Sequence, residues 1–317
     1  MRRVNETGAP GSATADPWIR AMQRGDFSEA WRIADEVLRA RRGTACWHLP
    51  RHEQHIWDGQ PLDGKRVLVR CYHGLGDTVQ FIRYASLLKR VAREVIVWAQ
   101  PALIPLLATA NGIDRLLPLH DGVPAVEYDA DIELMELPHY FRTTLATIPR
   151  NVPYLHPRPA PRLENRSLAL GLAWKSGDWD ERRSIDTRLV TRLAEVPGVT
   201  LHVLQQGAAR ADWPAGVGVL SGSTDSLELA TVLTSLDLVV TVDSFPAHLA
   251  GALALPTWTL LHHDPDWRWM KEREDSPWYP SMRLWRQDNP GDWRPVIGRV
   301  AGELANLARH HRETVTH

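Results

Sequence analysis

The sequence predicts an α/β protein made of two doubly wound parallel sheets. Three observations carry this expectation. Short β-rich runs alternate with helical stretches after Gly64, the alternation restarts beyond residue 166, and a proline-rich stretch separates the two halves. At 317 residues the chain has length for two domains of ordinary size.

From Pro17 to Arg41 the residues Trp18, Met22, Phe27, Ala30, Trp31, Ala34, Val37 and Leu38 recur at helical spacing, and Gly25-Asp26 breaks the run. A helical hairpin and an extended connection are therefore expected over residues 17–60, behind a disordered tail at 1–16. The tail has no apolar segment of the kind an export signal needs. His48, His52 and His55 fall in the connection without an HExxH pattern or a cysteine partner, and a surface role is expected for them. The first α/β domain spans 61–155. It has strands at Arg66 to Arg70, Glu94 to Ala99 and Arg115 to Pro118, a glycine turn at Gly74 to Asp77, and helices at Thr78 to Val91 and Pro101 to Ala110.

Five prolines from Pro149 to Pro161 read as part of a linker running to Arg166. The second domain, 165–293, alternates strands at Leu168 to Trp174, Thr200 to Leu204, Leu238 to Val242 and Thr257 to Leu261 with helices at Asp186 to Glu195, Asp225 to Leu236 and Pro246 to Leu253. A final helix covers 294–310. Two such domains are expected to enclose a cleft facing the carboxyl ends of their strands.

Composition removes several classes of function. The net charge of −1, without a basic stripe, argues against a nucleic-acid partner. No run approaches the roughly 18 apolar residues of a membrane span, so no integral membrane segment is expected. Cys46 and Cys71 are too few for a disulfide framework or a cysteine zinc site and suit a cytoplasmic protein. Of the 14 tryptophans, six lie between Trp258 and Trp293, where packing is the expected role for most.

Four strand ends carry candidate chemistry. In His73-Gly74-Leu75-Gly76-Asp77-Thr78 the glycines allow close backbone approach, and Asp77 is either a general base or a helix cap. Val79 stands where a dinucleotide fingerprint needs glycine. In Asp243-Ser244-Phe245-Pro246-Ala247-His248 a strand gives way to a helix whose first amides suit a diphosphate, although Ser244 could simply cap and His248 could face the core. Lys175, Arg182 and Arg183 form a phosphate clamp or, with Asp178, Asp180 and Glu181, a solvated loop. Gln206 follows another strand, where a ribose contact is conceivable. Asp129-Ala-Asp131 and Asp264-Pro-Asp266 spell a metal-diphosphate motif at a frequency chance explains, and no metal is assigned.

Taken in order, Gly74 to Tyr84, Gly171 to Trp174, Arg183-Ser184-Ile185, Leu204 to Gly207, Asp243-Ser244 with His248 to Leu253, and Asp266-Trp267-Arg268-Trp269 resemble glycosyltransferase family 9. This is the ADP-heptose heptosyltransferase superfamily, and the branch often fused to tetratricopeptide repeats is most similar. The resemblance implies a GT-B fold, with the acceptor in the first domain and the nucleotide sugar in the second, no cofactor, and inversion at the anomeric carbon. It implies Asp77 as base; Gly74, Gly76 and Thr78 in the glycine loop; and donor contacts from Trp174, Lys175, Arg183, Gln206, Asp243, Ser244 and His248. It further implies a final helix that crosses back to the first domain, and a hairpin that is a single remnant repeat. Phe245 and Pro246 replace smaller residues of the family's pattern and narrow the sugar pocket.

The resulting expectation is metal-independent transfer of a heptose or hexose from a nucleotide-diphosphate donor, most simply ADP-linked, to a glycan, lipid, protein or small-metabolite hydroxyl. The alternatives are a non-catalytic binding protein of GT-B shape and a GT-B nucleotide-sugar epimerase.

Overall fold

The computed structural model describes residues 16–161, 167–177 and 180–315. The expected tail before Asp16 and the end of the proline-rich linker lie outside the described residues. The chain divides into two compact units. The first holds the described residues up to Ile104, with Asn111–Pro149 and Asp266–Lys271. The second holds Pro105–Ala110, the described residues of Arg150–Pro265, and those from Glu272 onward.

The hairpin forms as its sequence predicts. Asp16 accepts a hydrogen bond from Trp18 N at 2.8 Å to start α1 (Pro17–Gln23). Asp26 accepts from Glu29 N at 3.1 Å to start α2 (Phe27–Arg41). Between them Gly25 takes φ +75°, a backbone conformation that disfavours a side chain. The hairpin is tied into the first unit by Trp31 Nε1, which donates to the Thr143 carbonyl at 2.6 Å, and by Asp35, which receives His139 Nε2 and Arg142 Nη2, each at 2.8 Å.

The first unit continues through β1 (Arg66–Arg70), α3 (Leu75–Phe81), α4 (Ala85–Leu88), β2 (Glu94–Ala99), α5 (Ile104–Leu107), β3 (Arg115–Pro118), β4 (Ala130–Glu133) and α6 (Leu137–Tyr140). Its four strands are all parallel, in the order β3-β2-β1-β4. The aliphatic runs Val67 to Val69 and Val95 to Val97 are fully buried, as central strands covered on both faces must be. Two expectations change here. The single helix expected from Thr78 begins earlier, at Leu75, and is broken into α3, a 3-10 turn at Ile82–Tyr84, and α4. Strand β4 was not anticipated because its acids hide the β pattern. Asp131 pairs with Arg70 of β1 at 2.8 Å, and Asp129, just before it, takes Arg66 at 2.8 Å. Those ion pairs account for the first Asp-x-Asp match.

The second unit contains β5 (Leu168–Ala173), α7 (Thr187–Val190), β6 (Val199–Val203), β7 (Val219–Leu220), α8 (Ser226–Leu233), β8 (Leu238–Val242), α9 (Phe245–Ala252), β9 (Thr257–Leu261), β10 (Met282–Arg286) and α10 (Arg294–Val315). Its six parallel strands run β10-β9-β8-β5-β6-β7. Sequence reading missed β7, which is two exposed residues, and β10, which lies inside the tryptophan-rich tract. Within that tract Trp269 and Trp278 are fully buried, as packing residues should be.

Val296, Ile297, Val300, Leu304 and Ala308 of α10 recur at helical spacing and join Leu168, Leu193 and Leu201 in one core cluster. This apolar stripe packs inside the second unit. The segment Asp266–Lys271 clusters with the first unit. Among the described residues, no helix is long and apolar enough to cross a membrane.

Gly251 on α9 shows how closely the second unit is packed. A Cβ there would lie 2.4 Å from the fully buried ring of Tyr279. Gly251→Ala should therefore lower stability to urea unfolding by about 1–3 kcal/mol through overpacking. An unchanged midpoint would show that the Tyr279 ring has room to move.

Candidate functional site

In the first unit, β1 ends at Arg70 and the chain enters α3 through Gly74, its N-cap. Gly74 has φ −68°, so its role is space: a Cβ there would stand 3.1 Å from Asp77 Oδ2. That space lets the carboxylate fold back onto its own loop, where Oδ2 accepts from Gly74 N at 2.9 Å. Gly76 lies half-buried in the same first turn. Thr78 Oγ1 donates to Gln100 Oε1 at 3.0 Å and Gln100 Nε2 donates to the His73 carbonyl at 2.7 Å, which pins the loop to the end of β2. Asp77 thus caps the helix, one of the two roles open to it in the sequence, yet its second oxygen is directed elsewhere. Arg268 Nη1 donates to Oδ1 at 2.7 Å.

Arg268, His73, Glu133 and Glu136 were not singled out for chemistry by sequence reading. Burial holds His73 down to about 4, partly countered by Asp77. Burial raises the Glu133 carboxyl well above its ordinary value, and the Glu136 charge adds to the effect. Glu136 is pushed up to about 7 by burial, against the backbone N–H donors of Glu133 and Trp57. The available signal was the run Asp131-Ile132-Glu133-Leu134-Met135-Glu136-Leu137, in which acids interrupt an apolar stretch.

In the second unit β8 delivers Asp243 and α9 begins at Phe245 with Pro246 in its first turn. Ser244 does not cap α9. Its hydroxyl turns back to donate to the Val242 carbonyl at 3.0 Å, and Ser244 through Pro246 remain half-buried at the head of the helix. Asp243, His248 and Arg183 converge there. Arg183 Nη1 donates to the Asp243 carbonyl at 3.1 Å and stands 3.6 Å from Oδ2. His248 Nε2 is 3.8 Å from Asp243 Oδ1, and its Nδ1 is 3.0 Å from the Tyr279 hydroxyl. All three side chains are buried, so His248 faces the core side of its helix while still reaching Asp243.

The other donor-side expectations divide. Lys175 is half-buried and forms no ion pair among the described residues. Arg182 is engaged by Asp180 at 2.9 Å, and Asp178 lies outside the described residues. Trp174 offers no ring face to a ligand. It is fully buried in the core, its centroid 4.6 Å from that of Trp213, because the inward face of β5 continues through this position. Gln206 is half-buried, and its neighbour Gln205 organises this strand end: Oε1 accepts from Trp174 N at 3.1 Å and from Lys175 N at 2.9 Å. Among the described residues, no group of three or more His, Cys, Asp or Glu could hold a metal ion.

The titrations of the first unit have opposite signs. Glu136 rises from an ordinary 4.5 to about 7, so its contribution to stability is present below pH 4.5 and lost as pH climbs through 7. His73 falls from 6.5 to about 4, so its contribution is present above pH 6.5 and lost as pH drops through 4. His73 and Glu136 oppose each other between these limits, and the raised Glu133 adds to the loss at higher pH. Glu136→Gln should gain about 3 kcal/mol on wild type from pH 4.5 to pH 7.5 in urea titrations. Parallel profiles would mean that Glu136 titrates normally.

No protein-family model matches the chain. Protein FlbA of Caulobacter vibrioides is 27% identical over 356 aligned residues and covers 96% of this chain, which spans only 57% of that relative's length. Three solved structures are similar in fold. A glycosyl transferase family 9 protein from Veillonella parvula has a TM-score of 0.58 at 11% identity, over 80% of this chain and 99% of its own. The heptosyltransferase WaaC of E. coli, with ADP-2-deoxy-2-fluoro heptose, has 0.51 at 13%, over 75% and 99%. The iron-containing dodecameric glycosyltransferase TibC of enterotoxigenic E. coli H10407 has 0.53 at 14%, over 81% and 78%. The two parallel-stranded α/β units are those of a GT-B-type fold, shared with the heptosyltransferases of glycosyltransferase family 9.

Proposed function

We propose that the chain is a glycosyltransferase that moves a heptose or hexose from a nucleoside-diphosphate donor to an acceptor hydroxyl, with inversion and without a metal. The observation that carries this reading is the head of α9. An uncapped helix start, Asp243 held by Arg183, and the half-buried Lys175 make a site suited to a diphosphate. The solved WaaC complex with an ADP-heptose analogue supports ADP as the donor's nucleotide. Charge builds on the departing diphosphate, so fixed N–H groups and Lys175 would stabilise the transition state more than the ground state. TibC contains iron, but the described residues here offer no three-ligand cluster for one, and no step is assigned to it.

Asp77 is the proposed base. A carboxylate has about four acceptor positions. The N–H groups of Gly74 and Arg268 each engage one oxygen, which fixes the orientation of the carboxylate that would take the acceptor's proton. That double engagement also favours a second reading, a non-catalytic protein in which Asp77 only braces its loop.

Calorimetric titration with ADP, UDP, GDP and dTDP, with NADH as control, separates the two. Selective binding of ADP is expected, with Lys175→Ala weakening it about tenfold or more through loss of a charged donor. Asp77→Asn should leave ADP affinity unchanged and abolish release of ADP from an ADP-heptose probe. Failure to bind any nucleoside diphosphate would leave the non-catalytic reading standing.

A further inference from the structure

We infer that Arg268 is the positioning residue for Asp77, clamping its carboxylate in one rotamer and holding it ionised; the role in transfer rests on the reading of Asp77 as base. The geometry is specific. Arg268 donates from Nε to Asp266 Oδ1 at 2.9 Å and from Nη1 to Asp77 Oδ1 at 2.7 Å, so one planar fork spans two carboxylates. The guanidinium carbon lies 5.9 Å from the Phe81 ring centroid and 5.5 Å from that of Trp267, which confines the plane of the fork. Phe81 is one turn beyond Asp77 on α3, so the helix carrying the carboxylate also carries part of the wall holding its partner. Arg268 itself is only 7% exposed.

The charges around Asp77 make this clamp consequential. Asp266 shares the guanidinium from the 3-10 turn at Trp267–Trp269, His73 precedes the loop, and Glu133 approaches from the end of β4. Neither Asp266 nor Glu133 favours a second negative charge nearby, and His73 is held neutral near pH 7 by burial. Arg268, together with the Gly74 N–H on the other oxygen, favours the ionised form of Asp77, and Arg268 is the charged one of the two. A lysine at 268 would keep the charge but could not span both carboxylates with a rigid fork.

The test uses the full chain labelled with ¹³C at aspartate Cγ, with the Asp77 signal assigned from its loss in Asp77→Asn. Arg268→Gln should raise the Asp77 titration midpoint by about one pH unit or more. Arg268→Lys should keep the midpoint near that of wild type while lowering ADP release from an ADP-heptose probe about tenfold. An unchanged midpoint in Arg268→Gln overturns the electrostatic part. Wild-type turnover in Arg268→Lys overturns the clamp. Should the glutamine variant fail to fold, the lysine variant decides alone, with its rate and its midpoint as readouts. If Asp77→Asn itself turns over normally, the base reading fails and the role in transfer with it, whereas the titration shift reports separately on the charge Arg268 exerts.

Discussion

The Arg268 guanidinium, shared between Asp266 and Asp77, is the contact on which the loop geometry of the first unit depends. Burying one cation between two carboxylates is costly, since desolvation opposes every charge involved. Here the remaining donors and faces are used as well. Gly74 N–H supports the far oxygen of Asp77, and the rings of Phe81 and Trp267 cover the guanidinium. Trp267 also meets Trp18 edge-on at 5.2 Å and lies near-parallel to Phe81 at 6.3 Å. One short segment, Asp266–Lys271, therefore braces α1 of the hairpin and α3 of the sheet layer at once. Removing its arginine would leave Asp77 and Asp266 as half-buried like charges without their shared cation.

The second unit solves a related problem with a helix start. Parallel strands place the ends of β5, β6 and β8 at one edge, and the chain leaves β8 directly into α9. The residue that could have capped α9, Ser244, instead satisfies the Val242 carbonyl behind it. Pro246 has no N–H to lose in the first turn. A helix start that Ser244 does not cap suits the anionic ligand proposed for it, and Arg183 holds the Asp243 carbonyl beside it.

Most of the fold was legible because it rests on local signals. The break at Gly25-Asp26, the aliphatic runs of β1, β2, β5 and β8, and the glycine loop all read directly from neighbouring residues. What failed were elements whose logic is tertiary. Strand β4 is acidic because its charges pair with Arg66 and Arg70 across the sheet, and β10 is masked by tryptophans that also pack. The apolar stripe of α10 shows in sequence that the helix is buried, but not that Leu168, Leu193 and Leu201 are its partners.

The candidate sites show the same limit more sharply. Asp77, Arg183, Asp243 and His248 could be chosen from sequence because each follows a strand end, where the topology of α/β sheets gathers functional groups. The pairing of Asp77 with Arg268 could not, since Arg268 is 191 positions away and its motif, Asp266-Trp267-Arg268-Trp269, carries no local sign of which carboxylate it meets. Trp174 fails for the opposite reason. It follows a strand end and matches a motif, but β5 keeps alternating through it and turns the indole inward against Trp213. Strand-end position thus selects candidates, and the direction of the last residue's side chain separates them: Trp174 points to the core, while Lys175, one position on, stays half-buried.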